Sequence, residues 1–356
     1  MSTQPHHGRG WADIDLANLV ANARAVLGQA PGARLLPMVK ADAYGLGAVS
    51  CARALRAVSP WGFGVATLDE AAQLRAAGFN EPMLVFTPAT LADLPRIRDL
   101  DVRVVLDRPD TVQRWDRPFH LEIDTGMSRC GVRWDDAETI AGCRSPHLEG
   151  VFTHLHSADS NPPSVTDQWR RFAVARDTLG ERPRLVHVAN SAGAWRIPEP
   201  LDLVRPGIFL YGGTPGPDLP APAPVFALRA PVVGLRRVRA GETVSYGADW
   251  TAPRATTIAT LGIGYADGVP RAAQGRAHLL IAGRRVPLVG RVTMDFIMVD
   301  AGPDGGGVQV GDVATLVGED GESAITLDEF AASCGTIAYE VIARLGSRLP
   351  RRHRSG

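Results

Sequence analysis

The stretch LLPMVKADAYGLG, residues 35–47, ends an apolar run on Lys40 and then turns on small and polar residues. The chain holds 38 Lys plus Arg, and Lys40 is the one lysine among them. Arginine stays protonated at any working pH, whereas a desolvated lysine amine can give up its proton and act as nucleophile or base. A chance survivor of a composition bias is the bland explanation. Chemistry that needs a neutral amine is the stronger one, with Schiff-base formation to a carbonyl cofactor first. Tyrosine is the second signal. Only five occur, Tyr44, Tyr211, Tyr246, Tyr265 and Tyr339, each in a Gly-containing or polar motif rather than an apolar strand core. Phenols in such places suit hydrogen bonding or acid/base work.

Other polar residues gather where β-branched runs end. Glu122, Asp124 and Arg129 flank the end of FHLEID, and His154 sits near the end of LEGVFTHL. Asn190 and Ser191 close RLVHVAN, while Arg205 and Gly207 lie within LVRPGIFLY. Taken singly, each reads as a cap or a solvated side chain. Taken together, polar groups repeated at strand ends match a (β/α)8 barrel, whose catalytic residues sit at the C-terminal ends of its strands. Small residues in the same turns, as in SAG and PGI, let backbone N–H groups approach a phosphate.

The elements needed to position these groups are legible. Eight strand signals run to about residue 212: RLLPMVK, WGFGVAT, PMLVFT, VRVVLD, FHLEID, LEGVFTHL, RLVHVAN and LVRPGIFLY. Helical segments separate them. In DLANLVANARAVLG, Leu16, Leu19, Val20, Ala23 and Leu27 fall at helical spacing with Gly28 as a stop. TLDEAAQLRAAG opens on a capping box, Thr67 to Glu70, as does TLDEFAAS, Thr326 to Glu329. A doubly wound sheet is the competing topology, but no GxGxxG follows the first strand. The Pro- and Gly-dense stretch at 212–226 reads as a boundary, and beyond it short strands with tight turns predict a second fold. The expected fold class is therefore α/β: an N-terminal (β/α)8 TIM barrel over residues 1–222, with an extension at 1–10, and a C-terminal mostly-β domain over 223–356.

Composition narrows the function classes. Hydrophobic residues make up 45% and charged residues 21%, ordinary values for a globular enzyme. A formal net charge of zero recruits neither nucleic acid nor an anionic membrane. The terminal RRHRSG reads as a solvated tail. No signal-peptide core or membrane-length apolar run is present. Cys51, Cys130, Cys143 and Cys334 form no CxxC pair, which argues against a disulfide framework and a zinc site. The expectation is a cytoplasmic protein with no metal.

From about residue 11 to 350 the sequence resembles alanine racemases, fold-type III enzymes that use pyridoxal 5'-phosphate. VKADAYGLG, IDTGMSRCG, EGVFTHLHSAD, ANSAG, VRPGIFLYG, VSYGADWTA, GIGYADG, GRVTMD and TIAYEVIARLGSRLPR occur in that family's order. The resemblance implies an EC 5.1.1.1 isomerase interconverting L- and D-alanine, supplying D-alanine for peptidoglycan. Lys40 would carry the cofactor and serve one face of the substrate Cα, and Tyr246 the opposite face. Tyr44, Ser191, Gly207, Ile208 and Tyr339 would anchor the phosphate. Arg205 would contact the pyridine nitrogen, and His154 would pack near the ring. Arg129, Met294 and Tyr265 would lie at the substrate. The family forms a homodimer with a shared active site, so Tyr246, Tyr265, Met294 and Asp295 would come from the partner. Glu122 stands where the family commonly has a lysine, often carbamylated, that buttresses the arginine; a carboxylate offers the same charge. Asp42 and Thr293 are smaller departures, at positions where the family often has Asn and Cys.

Racemisation requires two acid/base groups on opposite faces of a planar carbon. Lysine and tyrosine both start near pKa 10, so their surroundings must lower them. An arginine at the pyridine nitrogen keeps it unprotonated, which weakens the electron sink and favours proton exchange. A decarboxylase of similar layout would carry a carboxylate there. A cofactor carrier built on the barrel alone would not need the second domain.

Overall fold

A computed structural model describes residues 8–180, 183–197 and 201–355. The described residues form two compact units, one of residues 19–223 and one joining residues 8–18 to 224–355. Residues 1–7 of the expected N-terminal extension lie outside the described residues.

In the first unit, short strands alternate with helices. They are β2 (Arg34–Leu35), β3 (Phe63–Val65), β4 (Met83–Val85), β5 (Arg103–Leu106) and β6 (Phe119–Asp124), then β8 (Leu148–Phe152), β9 (Leu185–His187) and β10 (Leu203–Val204). A two-residue strand β7 (Val132–Arg133) pairs beside β6, and β1 (Trp11–Asp15) belongs to the other unit. Neighbours from β3 to β9 pair in parallel, and β2 pairs in parallel with β10. The ring closes on both sides of that pair. Val39 N–H donates to Gly64 O at 2.8 Å, and Asp202 N–H to Val186 O at 3.0 Å. Eight parallel strands in a ring make the expected barrel. Leu36, Trp61, Leu84, Val105, Phe152, Leu185 and Leu203 cluster in its core, drawn from most of its strands.

Local chemistry accounts for the helices. Thr67 caps Leu68–Ala76 with its hydroxyl accepting from Glu70 N–H, and Glu70 returns the bond, so the capping box forms. The helix Leu16–Gln29 runs past Gly28 and buries Leu19, Asn22, Ala23 and Val26, a narrower face than the sequence spacing indicated. The eighth strand signal is mostly not strand: after Leu203–Val204 the chain passes Pro206 and turns as a 3₁₀ segment at Ile208–Tyr211. Proline offers no N–H to a ladder, which stops the strand there.

The second unit is a nine-stranded sheet. Its strands are β1, β11 (Phe226–Val238), β14 (Thr256–Leu261), β15 (His278–Ile281), β16 (Arg284–Val289), β17 (Ile297–Gly302), β18 (Val313–Asp320), β19 (Ser323–Ile325) and β20 (Arg351–Arg354). A small hairpin of β12 (Thr243–Val244) and β13 (Trp250–Thr251) lies beside it. Long β11 pairs with β1, β14 and β18, which folds the sheet back on itself. Two expectations change here. Residues 11–18, expected within the barrel domain, belong to this unit, because Trp11–Ile14 pair antiparallel with Phe226–Arg229. The terminal arginines are not a solvated tail: β20 lies parallel to β1, Arg354 pairs with Asp13 at 3.0 Å, and Arg352 covers the Trp11 ring. The second capping box is half formed. Thr326 accepts from Glu329 N–H, but the Glu329 carboxylate pairs with Arg285 instead.

Tyr211 links barrel packing to the segment before Lys40, its buried hydroxyl donating to Met38 O at 2.7 Å. Tyr211→Phe leaves that carbonyl without its partner and is expected to lower unfolding stability by roughly 1–3 kcal/mol. Thr67→Ala, a lost cap, is expected to cost about 1 kcal/mol. Urea unfolding of both variants checks the pair, and a Tyr211→Phe midpoint equal to the parent's contradicts the first.

Candidate active site

Lys40 sits just past the first barrel strand, and the backbone after it is unusual. Ala41, Asp42, Ala43 and Tyr44 all have left-handed backbone, with φ between 52° and 56°. Left-handed geometry costs an L-residue roughly 1–2 kcal/mol, so the surroundings must hold this turn. Ala43 N–H donates to Val39 O at 2.8 Å and Gly45 N–H to Ala41 O at 2.7 Å. Glu70, the capping-box residue, takes the Ala41 N–H at 2.7 Å, and Asp42 takes that of Ala48 at 2.7 Å. Strain of this kind persists where surrounding structure over-determines it, commonly at functional sites. The half-buried Lys40 amine is lowered from the ordinary lysine range, first by burial, then by the Arg129 charge, with Arg205 adding and Glu70 opposing.

Arg205, after β10, is buried and almost fully engaged. Its Nη1 donates to His187 O at 2.6 Å and His187 Nδ1 at 3.0 Å. Its Nη2 donates to Thr153 O at 2.9 Å and approaches His154 Nδ1 at 3.4 Å. The guanidinium also lies over the Phe152 ring, 5.1 Å from its centroid. Burial lowers it to about 10, so it stays cationic near neutral pH. Burial and the neighbouring cations push His154 down to about 3, which leaves it neutral. The guanidinium Nε–H has no acceptor among the described residues. Nor is it one of their sealed, unpartnered side-chain atoms, Trp115 Nε1 and His120 Nε2, so it keeps some accessible surface.

The adjoining turn is a cradle. Ser191 Oγ accepts from Gly207 N–H at 2.9 Å and Phe209 N–H at 3.3 Å. A Cβ at Gly207 would fall 2.2 Å from Tyr44 Oη, so only glycine admits this approach. Tyr44 is buried and stacks on Tyr211 with ring centroids 4.8 Å apart. The Ile208 N–H, first in its turn, has no acceptor within that turn. The donor set fits pyridoxal phosphate: hydroxyls and backbone N–H groups for a phosphate, a spare Nε–H for a pyridine nitrogen, and a desolvated amine for an aldehyde.

Glu122 lies on β6 beneath the exposed Arg129. Burial raises its carboxyl to about 7 against the pull of Arg129 and Arg205. No ion pair joins Glu122 to Arg129 among the described residues, and the Glu122 carboxyl is only partly ionised near neutrality. The structure thus brings together Lys40, Tyr44, Glu122, Arg129, His154, Ser191, Arg205, Gly207 and Ile208 in one unit.

The remaining expected residues lie in the other unit, as two groups and a separate tyrosine. Tyr265 N–H bonds Thr293 O at 2.9 Å and Ala266 N–H bonds Met294 O at 3.1 Å. Buried Asp267 accepts from Arg9 at 2.7 Å, Arg348 at 2.7 Å and Gly264 N–H at 2.8 Å. The same arginines hold the Asp295 carbonyl at 2.9 Å and the Met294 carbonyl at 3.1 Å. Tyr246 stands in a strained turn, with Ser245 at φ 70° and Ala248 at φ 52°, fastened by Ser245 Oγ donating to Arg291 O at 2.8 Å. Tyr246, Tyr265 and Met294 are 72%, 42% and 52% exposed. Tyr339 is the second residue of the helix Ala338–Ala343 and is also exposed. Sequence reading missed His187, His120, Glu70, Arg9, Asp267 and Arg348. His187, closing the otherwise apolar strand Leu185–His187, left a signal, and Glu70 was read only as a helix cap.

The sequence matches the alanine racemase N-terminal domain family over residues 14–215 and the alanine racemase C-terminal domain family over residues 225–353. The chain belongs to the alanine racemase family. It is therefore an amino-acid racemase. An alanine racemase of Deinococcus radiodurans is 43% identical, covering 97% of this chain and 99% of that protein. The alanine racemase of Bacillus anthracis, solved with bound L-Ala-P, is 32% identical with a TM-score of 0.89, covering 99% of this chain and 96% of the other. That of Bartonella henselae, solved with covalently bound pyridoxal phosphate, is 29% identical with a TM-score of 0.89, covering 97% and 99%.

Glu122 sets a pH dependence whose sign comes from its raised carboxyl. The unfolded chain releases that proton near the ordinary value of 4.5 and the folded chain near 7, so stability falls as pH rises between them and is level above. Glu122→Gln removes this slope. Its stability advantage over the parent is expected to grow from pH 5 to 7, with an upper bound of roughly 3 kcal/mol. Parallel melting-temperature curves for the two proteins across that window contradict the assignment.

Proposed function

We propose that this chain interconverts L- and D-alanine with pyridoxal phosphate, using Lys40 and Tyr246 as the two acid/base groups. The observation that carries the reading is Lys40: the one lysine of the chain, its amine lowered by burial at the end of a barrel strand, beside a guanidinium with a spare Nε–H. The covalent cofactor of the Bartonella protein and the L-Ala-P bound to the Bacillus protein point the same way. Pyridoxal phosphate, when bound, supplies the carbonyl that takes up the amino group and the conjugated ring that accepts electron density from Cα.

The chain's own residues do the rest. Ser191, Gly207, Ile208, Tyr44 and Tyr339 hold the phosphate. Arg205, unable to give up its proton, leaves the pyridine nitrogen unprotonated, which moderates the electron sink and favours return of a proton to Cα. Arg129 binds the substrate carboxylate and, with Glu122 beneath it, sets the local potential. Neutral His154 packs beside the ring without adding charge. Lys40 takes or gives the proton on one face of Cα and Tyr246 on the other. A general acid/base group contributes about 10²–10⁴-fold.

The site is shared between two copies. Tyr246, Tyr265, Met294 and Asp295 of one copy complete the barrel site of the other, in keeping with the exposure of the first three. No helix among the described residues is long and apolar enough to cross a membrane. The product serves the peptidoglycan of the cell that makes it in its cytoplasm.

Borohydride reduction with peptide mapping, and racemisation of L-alanine, test this reading. A pyridoxyl group on Lys40, none on Lys40→Arg, and a 10²–10⁴-fold loss in Tyr246→Phe are expected. A protein that takes up no pyridoxal phosphate overturns it. Mixing inactive Lys40→Arg with inactive Tyr246→Phe tests sharing. Random exchange into a symmetric dimer restores about a quarter of the sites, whereas a site built within one chain recovers nothing.

A further inference from the structure

A line of buried polar side chains crosses the barrel interior from Arg205 to the opposite end of the strands. Arg205 Nη1 meets His187 Nδ1 at 3.0 Å, and His187 Nε2 meets His120 Nδ1 at 2.7 Å. His120 Nε2 then points at Glu149 Oε2, 3.5 Å away, a long electrostatic approach rather than a formed hydrogen bond. Arg103 Nε donates to the same oxygen at 3.2 Å. His120 and His187 are wholly buried, and Glu149 and Arg103 are partly so. The site already described takes in Arg205 and the His187 atoms that hold it, but not His120, Glu149 or Arg103.

With the guanidinium in its observed place, the order of donors leaves one arrangement. A guanidinium only donates, so His187 Nδ1 must accept and the proton of the neutral ring stands on Nε2. That N–H donates to His120 Nδ1, which puts the His120 proton on Nε2, facing Glu149. The opposite arrangement, with protons on both Nδ1 atoms, sets a His187 N–H against the Arg205 N–H and drives the guanidinium away. The two patterns are alternatives, and the charge at the far end decides between them. Burial raises the Glu149 carboxyl, but His120 and the Arg103 guanidinium outweigh it and hold the group below the usual range, hence ionised.

The barrel is shaped for this line. A Cβ at Gly150 would lie 2.6 Å from His120 Nδ1, so glycine on β8 makes the space for the ring. Phe152 stacks on His187 at 4.8 Å and 8° between planes, which fixes that ring's tilt.

We propose that Glu149 is a positioning residue for the racemase reaction, fixing the tautomers of His120 and His187 and thereby the guanidinium of Arg205. Through them it keeps Nη1 pinned and Nε–H turned to the cofactor ring. This rests on the proposed role of Arg205, but the tautomers themselves do not.

The test is nitrogen-15 NMR of histidine-labelled full-length protein, with and without added pyridoxal phosphate, alongside kcat, KM for alanine and the pyridoxal phosphate Kd. In the parent, both rings are expected to carry hydrogen on Nε2 with bare Nδ1. Glu149→Gln, which keeps an acceptor, should retain that pattern and lose no more than about twofold in kcat. Glu149→Leu should lose it, with kcat down about tenfold, at the lower edge of the effects seen when a residue orienting a ligand is lost, KM within about twofold, and weaker pyridoxal phosphate binding. A parent ring protonated on Nδ1 overturns the proposal, and so does a Glu149→Leu protein with unchanged ring signals and kcat. The parent measurement decides the tautomers even where Glu149→Leu fails to fold. Bare Nδ1 on both rings in a protein that neither binds pyridoxal phosphate nor racemises alanine would sink the functional reading and leave the tautomer line standing.

Discussion

Burial of the Arg205 guanidinium is the constraint around which the barrel site is arranged. An ion-sized charge removed from water costs several kcal/mol unless hydrogen bonds replace the lost solvent. Here the replacements are the carbonyl oxygens of His187 and Thr153 and the Nδ1 of His187, each at the end of a barrel strand or just past it. Those acceptors demand that His187 and His154 be neutral, which their burial ensures. The rings of Phe152 and Phe86 lie over the guanidinium, with centroids 5.1 and 5.9 Å from its carbon. With both terminal nitrogens engaged, one N–H is left to meet a ligand, and its direction is set by the cage rather than by the side chain's own flexibility.

Lys40 obeys the same electrostatics from the other side. A cation near Arg129 and Arg205 in a half-buried position is disfavoured, so the amine is lowered toward the range where it can exchange protons. The left-handed turn after it keeps it there. Glu70 ties that turn to the capping box of the next helix, so one carboxylate serves both a helix start and the lysine's backbone. Loss of regular geometry after Lys40 is offset by ordinary hydrogen bonds from neighbouring elements.

The C-terminal unit solves a different problem. Its candidate side chains Tyr246, Tyr265 and Met294 are exposed, and their backbones are held from beneath. Asp267 draws Arg9 and Arg348 together, and these arginines grip the carbonyls of Met294 and Asp295. Tyr265 is held by its backbone to the same loop. An exposed aromatic on a fastened turn is suited to act at a surface that another chain covers, at little cost in conformational entropy.

Much of this was legible in the residues. The alternation of strands and helices, the capping box at Thr67 and the polar groups at strand ends come from local periodicity and spacing, and the ordered motifs assigned the family that the comparisons show. These are short-range properties, decided within a few residues of each other. The line from Arg205 to Glu149 was not legible, because its neighbouring members are 18 to 67 residues apart along the chain and meet only when the ring of strands closes. The left-handed turn after Lys40 was hidden too, since Ala-Asp-Ala-Tyr carries no glycine to announce it. Nor could the terminal arginines declare themselves a strand, since only pairing with Trp11–Asp15 makes them one. What the sequence determined by itself was which side chains could do chemistry and the order in which they arrive. Which of them are desolvated, and which way their protons and donors point, the tertiary structure decided, because burial and hydrogen-bond direction are properties of neighbours in space.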